Sequence, residues 1–118
     1  MYSIKVEGNF SSAHNLREYK GKCESLHGHN WRIEAVAQKE ELDNAGMVID
    51  FKEFKEKLNK ILDGLDHKYL NELSYFKKAN PTSENIAKFI FGNLKEGIPF
   101  LKSVTVWENN TSSATYEE

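Results

Sequence analysis

The sequence predicts an α+β fold, in which one antiparallel sheet of four strands carries two helices on one of its faces. Two observations favour this class. Near both ends of the chain apolar and polar residues alternate, as in half-buried strands, whereas in the middle apolar residues recur at steps of three and four, as in amphipathic helices. With 118 residues, of which 39% are hydrophobic, the chain is expected to bury one core and to form a single domain over residues 1–118.

Two strands are predicted in the first third of the chain. In residues 2–10 the even-numbered positions are mostly apolar and the odd-numbered positions are mostly polar. In residues 27–38 the odd-numbered positions hold His27, His29 and Trp31, followed by three aliphatic residues. Because the side chains of residues i and i+2 of a strand project from the same face, the two histidines are expected to share a face.

Two helices are predicted in the middle of the chain. The first covers about residues 51–63, because apolar residues recur there with helical spacing, Asp50 is suited to cap the first turn and Gly64 stands near the end. The second begins after Thr82, which is its natural N-cap, and Gly97 is expected to stop it. Both helices are amphipathic, so each is expected to bury one side against the sheet.

Two further strands are predicted near the end of the chain. Residues 101–108 are rich in Val and Thr, and residues 114–117 form a short run after the turn-forming residues 109–111. The resulting order is two strands, two helices and two strands. With both helices on one face, the other face of the sheet is left without a cover, and we expect oligomerisation to supply it.

Charge and apolar content exclude several classes of protein. Sixteen Lys and Arg residues oppose 18 Asp and Glu residues, and the basic ones are spread along the chain, so no nucleic-acid groove is expected. No run approaches the ~20 apolar residues of a membrane span, and the N-terminal segment lacks the apolar core of a secretory signal. A single cysteine cannot form an internal disulfide. We therefore expect a cytoplasmic protein with a small-molecule ligand and with neither a nucleic-acid nor a membrane partner.

The histidines predict a metal site. His27 and His29 are about 6 to 7 Å apart along one strand face, so both can turn an imidazole nitrogen toward one metal ion. If the first strand pairs with the second, His14 supplies a third nitrogen. Taken alone, a histidine in a strand is more often an ordinary polar residue, so His14 depends on the other two. Three histidine ligands with an open fourth position are typical of a catalytic metal.

Four other residues leave two or more interpretations open. Cys23 is a buried apolar residue, a fourth ligand that closes a structural zinc site, or a thiol that acts as base or nucleophile. The Asp66-His67 pair either caps a helix end in solvent or orients an imidazole for proton transfer. Glu108 either faces water at the edge of the sheet or accepts two parallel N–H groups, such as those of a pterin or guanine ring.

Six segments of the chain, in a fixed order, form a recognisable set. They are Phe10-Ser11-Ser12-Ala13-His14, Cys23-x3-His27-Gly28-His29-Asn30, Gly46-Met47-Val48-Ile49-Asp50-Phe51, Leu65-Asp66-His67-Lys68-Tyr69-Leu70-Asn71, Pro81-Thr82-Ser83-Glu84-Asn85-Ile86-Ala87 and Val106-Trp107-Glu108. Over nearly its whole length the chain thereby resembles the family of 6-pyruvoyltetrahydropterin and 6-carboxytetrahydropterin synthases. The resemblance implies the tunnelling fold, in which such subunits form a barrel as trimers and two trimers stack into a homohexamer.

The resemblance also implies a role for each candidate residue. The zinc ligands would be His14, His27 and His29. The catalytic thiol would be Cys23, with Asp66 and His67 as its relay partners. The pterin ring would be anchored by Glu108, with Thr82 and Ser83 in the same pocket.

The spacing of the cysteine and histidines is similar to one subtype of the family. Three residues separate Cys23 from His27, as in the carboxy-type enzymes of queuosine and deazapurine biosynthesis, whereas the pyruvoyl type usually has a longer gap. The implied reaction converts 7,8-dihydroneopterin triphosphate to 6-carboxy-5,6,7,8-tetrahydropterin, with loss of acetaldehyde and triphosphate. Two alternatives stay open. One is a 6-pyruvoyltetrahydropterin synthase, which eliminates only triphosphate, and the other is a noncatalytic zinc- or pterin-binding subunit in which Cys23 closes the metal site.

Overall fold

The computed structural model of the protein describes residues 1–18 and 24–118. Its strands are β1 (Tyr2–His14), β2 (His27–Lys39), β3 (Leu101–Asn109) and β4 (Ser112–Glu117). The helices of the described residues are α1 (Phe51–Asp63), α2 (Ser74–Lys78) and α3 (Ser83–Gly97), with a single 3-10 turn at Leu70–Glu72. The strands form one antiparallel sheet in the order β1-β2-β3-β4. The predicted α+β class is therefore confirmed.

The core lies between one face of the sheet and the helices. On β2 every second residue from Trp31 to Ala37 is fully buried. Helices α1 and α3 contribute three and five buried apolar residues, respectively: Phe54, Leu58, Leu62, Ile86, Ala87, Ile90, Phe91 and Leu94. The predicted alternation along β2 is confirmed, and the face that carries His27 and His29 continues directly into this core.

The ends of the two long helices are set by the residues that the sequence indicates. The side chain of Asp50 accepts a hydrogen bond from the backbone N–H of Lys52 at 2.7 Å, and Thr82 accepts one from the N–H of Asn85 at 3.1 Å. Each of these bonds satisfies a donor that the first turn of a helix leaves free. Helix α3 ends at Gly97, as predicted. None of the helices in the described part of the chain is both long and apolar enough to cross a membrane.

The structure differs from the prediction at two places that concern the site. Strand β1 continues to His14, although polar alternation is lost after residue 10, because the antiparallel register pairs its last four residues with β2 and sets His14 opposite His27. Helix α2 was not predicted. It has five residues and buries one side chain, Phe76, so it is too short to produce a periodic pattern in the sequence.

The face of the sheet that the helices leave uncovered is polar. Arg32 forms ion pairs with Glu7 at 2.9 Å and with Glu34 at 2.8 Å, and its guanidinium lies 4.5 Å from the centre of the Trp107 ring. Glu34 also pairs with Lys5 at 3.2 Å. Burial alone would raise the pKa of Glu34, but hydrogen bonds from Lys5, Trp107 and Arg32 lower it. This face is therefore suited to contact with water and does not offer an apolar surface on which a second layer could pack.

Candidate metal centre and active site

The three histidines predicted as metal ligands lie together at the end of the sheet. One nitrogen from each of His14, His27 and His29 falls within 4.8 Å of the other two. The strand register produces this cluster, because His14 stands opposite His27 on β1 and β2, and His29 follows on the same face of β2. His14 is buried and the other two are half-buried. The cluster is therefore open toward one side.

Two backbone carbonyls orient the rings of His14 and His27. Nδ1 of His14 donates to the carbonyl of Pro81 and Nδ1 of His27 donates to the carbonyl of Ser25, both at 2.8 Å. In a neutral imidazole whose Nδ1 carries the proton, Nε2 has a lone pair. The Nε2 atoms of His14 and His27 face each other at 3.1 Å. Two lone pairs at this distance repel each other unless a proton or a metal cation lies beside them.

His29 supplies the third free nitrogen. Its Nε2 atom is buried and has no hydrogen-bond partner among the described residues. Oε1 of Glu108 approaches it to 3.3 Å, but without the angle of a hydrogen bond. Burial lowers the pKa of His29, and the neighbouring His14 and His27 lower it further, while Glu108 opposes them. The neutral ring is therefore favoured, and that is the form in which histidine binds metals.

These residues fit a divalent metal ion. One ring nitrogen from each of the three histidines lies within 4.8 Å of the other two, and that of His29 is a buried atom without a hydrogen-bond partner among the described residues. Histidines that bind metals usually donate their other ring N–H to a carbonyl or carboxylate, as His14 and His27 do here. Below the cluster, the buried ring of Trp31 lies edge-on to His14 and His29 at centroid distances of 4.9 and 5.2 Å, so the floor of the site is rigid and apolar.

Glu108 stands beside the histidines at the end of β3. Its carboxylate is 3.3 Å from His29 and 3.5 Å from the hydroxyl of Ser83, and its side chain is 34% exposed. The structure thus brings Glu108 and Ser83 together, while their role in a pterin pocket stays a prediction. The hydroxyl oxygen of Thr82 accepts the hydrogen bond that caps α3. Thr82 therefore stabilises the N-terminus of α3, next to Ser83.

Asp66 and His67 form a pair at the outer edge of β1. Oδ2 of Asp66 is 2.9 Å from Nδ1 of His67, and Oδ1 accepts the backbone N–H of Ser11 at 2.8 Å. The hydrogen bond from Ser11 holds the pKa of Asp66 below its usual value, and His67 lowers it further. The ring of His67 is 82% exposed. Within residues 1–18 and 24–118 no hydrogen bond or ion pair joins this ring to the three clustered histidines.

Cys23 lies outside the described residues, so its predicted role stays a prediction. The residue after it, Glu24, is a site residue that sequence reasoning missed. Oε1 of Glu24 is 3.7 Å from Nε2 of His27 and accepts the backbone N–H of Leu16 at 3.2 Å. The signal that could have revealed it is a carboxylate three residues before a candidate metal ligand. The metal centre therefore has a second carboxylate, that of Glu24, in addition to that of Glu108.

Two asparagine side chains hold the chain that leaves the metal centre after His14. The amide of Asn71 accepts from the backbone N–H of Asn15 at 3.0 Å and donates to its carbonyl at 2.8 Å. The amide of Asn80 makes the same pair of bonds with Arg17, at 2.9 and 3.2 Å. Each amide thereby acts as the ladder partner that a neighbouring strand would supply. Sequence reasoning missed both residues, because their partners are backbone groups.

Comparisons with known proteins agree with these features. A family model described as 6-pyruvoyl tetrahydropterin synthase matches residues 3–118. A 6-carboxy-5,6,7,8-tetrahydropterin synthase of Synechocystis is 41% identical over 98% of this chain and 93% of its own. A dihydroneopterin monophosphate aldolase of Pyrococcus furiosus is 33% identical over 91% of this chain and 90% of its own. The structure of the 6-pyruvoyl tetrahydropterin synthase of Caenorhabditis elegans superposes with a TM-score of 0.87 and 28% identity, covering 99% of this chain and 95% of that chain.

Proposed function

Since the chain belongs to the 6-pyruvoyl tetrahydropterin synthase family, we propose that it is a zinc-dependent 6-carboxy-5,6,7,8-tetrahydropterin synthase. The reaction converts 7,8-dihydroneopterin triphosphate and water to 6-carboxy-5,6,7,8-tetrahydropterin, acetaldehyde and triphosphate, as a step of queuosine biosynthesis in the cytoplasm. The observation that carries the proposal is the convergence of one ring nitrogen from each of three histidines beside the carboxylate of Glu108. Such a site offers both a metal and an acceptor for a polar ring.

His14, His27 and His29 would hold the zinc ion through Nε2. Three nitrogen ligands leave a fourth position for a ligand from solution, and this arrangement is typical of catalytic zinc. When bound, the ion supplies Lewis-acid chemistry, which lowers the pKa of hydroxyl groups on the substrate side chain. The rigid ring of Trp31 below the cluster excludes water from one side. The side chain of the substrate would therefore contact the apolar ring of Trp31 on one side and polar groups on the other.

Glu108 would bind and orient the pterin ring. The two oxygens of a carboxylate match the two parallel N–H groups on the edge of a pterin, as they match those of a guanidinium group. With Oε1 3.3 Å from His29, a ring held by Glu108 has its substituents next to the metal centre. Ser83 would support this carboxylate, and Thr82 would fix the start of α3 at the same pocket. Misplacement of the ring by an ångström would cost about a hundredfold in rate.

Cys23, Asp66 and His67 would move protons. Cys23 would take a proton from the substrate side chain as a thiolate, and this role rests on the family resemblance. The carboxylate of Asp66 accepts a hydrogen bond from Nδ1 of His67, which leaves Nε2 of that ring free to give or take a proton at its exposed side. Donation of two N–H groups to Asp66 keeps the carboxylate ionised, so it can stabilise the charged form of the ring.

The proposal includes assembly into a homohexamer, a dimer of trimers. Support comes from the two edges of the sheet, because β1 and β4 each have a strand neighbour on only one side among the described residues. Pairing of β4 of one copy with β1 of the next would satisfy both edges. It would also close the sheets into a barrel whose interior is the polar face that carries Arg32 and Glu34.

The deciding experiment is product analysis by mass spectrometry after incubation of the zinc-loaded protein with 7,8-dihydroneopterin triphosphate. We expect 6-carboxytetrahydropterin together with acetaldehyde and triphosphate in equal amounts. The Cys23→Ala variant should keep about one zinc ion per chain and lose turnover. A product that retains the three-carbon side chain, without acetaldehyde, would instead establish the pyruvoyl-type synthase. Loss of zinc from Cys23→Ala would identify the thiol as a ligand and contradict the mechanism.

One observation favours a second candidate function. The carboxylate of Glu24 lies 3.7 Å from His27, so a base other than a thiol is present at the metal centre, and the relative from Pyrococcus furiosus is a dihydroneopterin monophosphate aldolase. In a retro-aldol cleavage a base removes the proton of the hydroxyl on the second side-chain carbon, whose oxygen becomes the carbonyl of a released aldehyde. The electron pair of the broken bond between the first two side-chain carbons passes into the pterin ring, and the first carbon then takes up a proton and remains as a hydroxymethyl group. Glu24→Gln would abolish a hydroxymethyl product and leave the carboxy product intact, whereas Cys23→Ala would have the opposite effect.

A further inference from the structure

The turn that carries Asp66 and His67 is attached to the edge of β1. The backbone N–H of His67 donates to the carbonyl of Ser11 at 2.6 Å, and the N–H of Ala13 donates to the carbonyl of Lys68 at 3.0 Å. The chain continues alongside β1 with a parallel bridge between Ala13 and Tyr69. The pair is thereby fixed to the same strand that carries His14.

The hydroxyl of Ser12 is inserted into this turn. It donates to the carbonyl of Leu65 and accepts the backbone N–H of Lys68 at 3.1 Å. In an ordinary β-turn the first carbonyl and the fourth N–H bond directly to each other. Here they are the carbonyl of Leu65 and the N–H of Lys68, and the buried hydroxyl stands between them, with Ser12 only 7% exposed. Asp66 and His67 occupy the two central positions of the turn.

The backbone of His67, at the third position of this turn, has an uncommon conformation. Its φ angle is +54°, in the left-handed region that residues with a side chain rarely adopt. Such a conformation persists only where the surroundings determine it. Here the surroundings are the bonds to Ser11, Ser12 and Ala13, three successive residues of β1. Without the hydroxyl, the turn could close on its own direct bond and carry the imidazole with it.

Ser12 is also connected to the floor of the metal centre. Its carbonyl accepts the indole N–H of Trp31 at 3.2 Å, and the ring of Trp31 lies against His14 and His29. The backbone of Ser12 therefore touches the metal side of the site, while its side chain touches the turn of the Asp66-His67 pair. Ser12 is therefore hydrogen-bonded both to Trp31 and to the turn.

We propose that Ser12 is a positioning residue, whose hydroxyl holds the Asp66-His67 turn open and sets the place of the pair relative to the metal centre. The inference rests on the proposed function, since it assumes that the pair moves protons during turnover. It assigns Ser12 no contact with the substrate. Its effect is expected on the rate of the chemical step and not on the affinity for the metal.

The test compares Ser12→Ala with Ser12→Thr, which keeps the hydroxyl, and with Ser3→Ala, a control on the same strand whose hydroxyl accepts a hydrogen bond from the side-chain amide of Gln38. In Ser12→Ala we expect kcat to fall by about 10- to 100-fold, with KM and zinc content close to those of the wild type. The pKa of the Asp66 carboxyl, measured from the pH dependence of its carbon-13 chemical shift, should rise as the carboxylate loses its hydrogen bond from the backbone N–H of Ser11. Ser12→Thr should restore both values, and Ser3→Ala should change neither.

Two results would overturn the proposal. One is an unchanged kcat and an unchanged Asp66 titration in Ser12→Ala, and the other is a loss of zinc in step with the loss of rate. If the wild type makes no carboxy product, the proposed function fails, but the Asp66 titration needs no substrate and still decides the role of Ser12. Should Ser12→Ala not fold, Ser12→Cys keeps the size of the side chain with a weaker donor, and the same two measurements apply.

Discussion

Two backbone carbonyls determine which nitrogen His14 and His27 offer to a ligand. Because the carbonyls of Pro81 and Ser25 accept the Nδ1 protons, Nε2 of each ring faces the centre with its lone pair. The spacing of the histidines predicts the metal site, but it cannot predict these carbonyls, since any residue type supplies one. For the same reason the sequence indicates Asp66 and His67 as a pair and gives no sign of the Ser12 hydroxyl inside their turn.

Replacement of a histidine by asparagine should have different effects in the three-histidine cluster and in the Asp66-His67 pair. His27→Asn removes one of three converging ligands, so metal affinity should fall at least a hundredfold, because loss of a supporting partner alone typically costs 10- to 100-fold. His67→Asn is the matched control, since this ring lies outside the cluster and the variant should keep its metal and lose activity. Competition with a chromogenic chelator measures both affinities. Release of the metal by His67→Asn would contradict the separation of the two groups.

Asp66 makes the free energy of unfolding depend on pH in the acidic range. Its pKa in the folded protein is lowered, chiefly by the backbone N–H of Ser11, whereas in the unfolded chain it is about 3.9. Its contribution to stability is therefore fully present above that value and is lost as the pH falls through the lower, folded pKa. Urea unfolding at a series of pH values below about 5 should show a steeper decline for the wild type than for Asp66→Asn. Equal slopes would show that this carboxylate is not stabilised by folding.

Among the helices and strands, the sequence predicts those that have a periodic pattern or a capping residue of their own. It misses those segments whose conformation depends on pairing with a neighbouring strand or that are very short. The two long helices and their caps at Asp50 and Thr82 are predicted correctly, because each cap acts within its own turn. The last four residues of β1 are missed, since their strand conformation comes from pairing with β2 and not from alternation. Helix α2 is missed because five residues carry too little pattern.

The contact of β1 with α1 depends on the missing side chain of Gly8. A Cβ atom there would lie 2.7 Å from Cδ1 of the buried Leu62 and 3.0 Å from Oδ1 of Asn59. Gly8→Ala should therefore lower the free energy of unfolding by about 1 to 3 kcal/mol, the usual cost of overpacking. Gly92→Ala, within α3, is the control: nothing lies within 4 Å of its Cβ, and the variant should gain about 0.5 to 1 kcal/mol. Urea unfolding measures both, and effects of the same sign would refute the packing argument.

The molecule as a whole is longer than a compact chain of its size. It measures 53 × 27 × 23 Å and has a radius of gyration of 15.2 Å, against about 13 to 14 Å expected for this length. The excess comes from the two strands of 13 residues, β1 and β2. The outer face of this sheet is polar and ion-paired, with Arg32 and Glu34 at its centre. The sequence predicts an uncovered face, but not that its charges pair across strands, because the register sets those pairs.

An elongated sheet with two open edges predicts assembly. Among the described residues, the outer side of β1 is paired only where residues 67–69 reach Ser11 and Ala13, and β4 has β3 as its only neighbour. Unpaired edges of this length favour pairing with another chain, and closure of several sheets would enclose the polar face as a wet lumen. Native mass spectrometry of the zinc-loaded protein should give about 82 kDa, the mass of six chains of 13.6 kDa. A monomer at concentrations where the protein turns over substrate would contradict this, because the edges would then be stable alone.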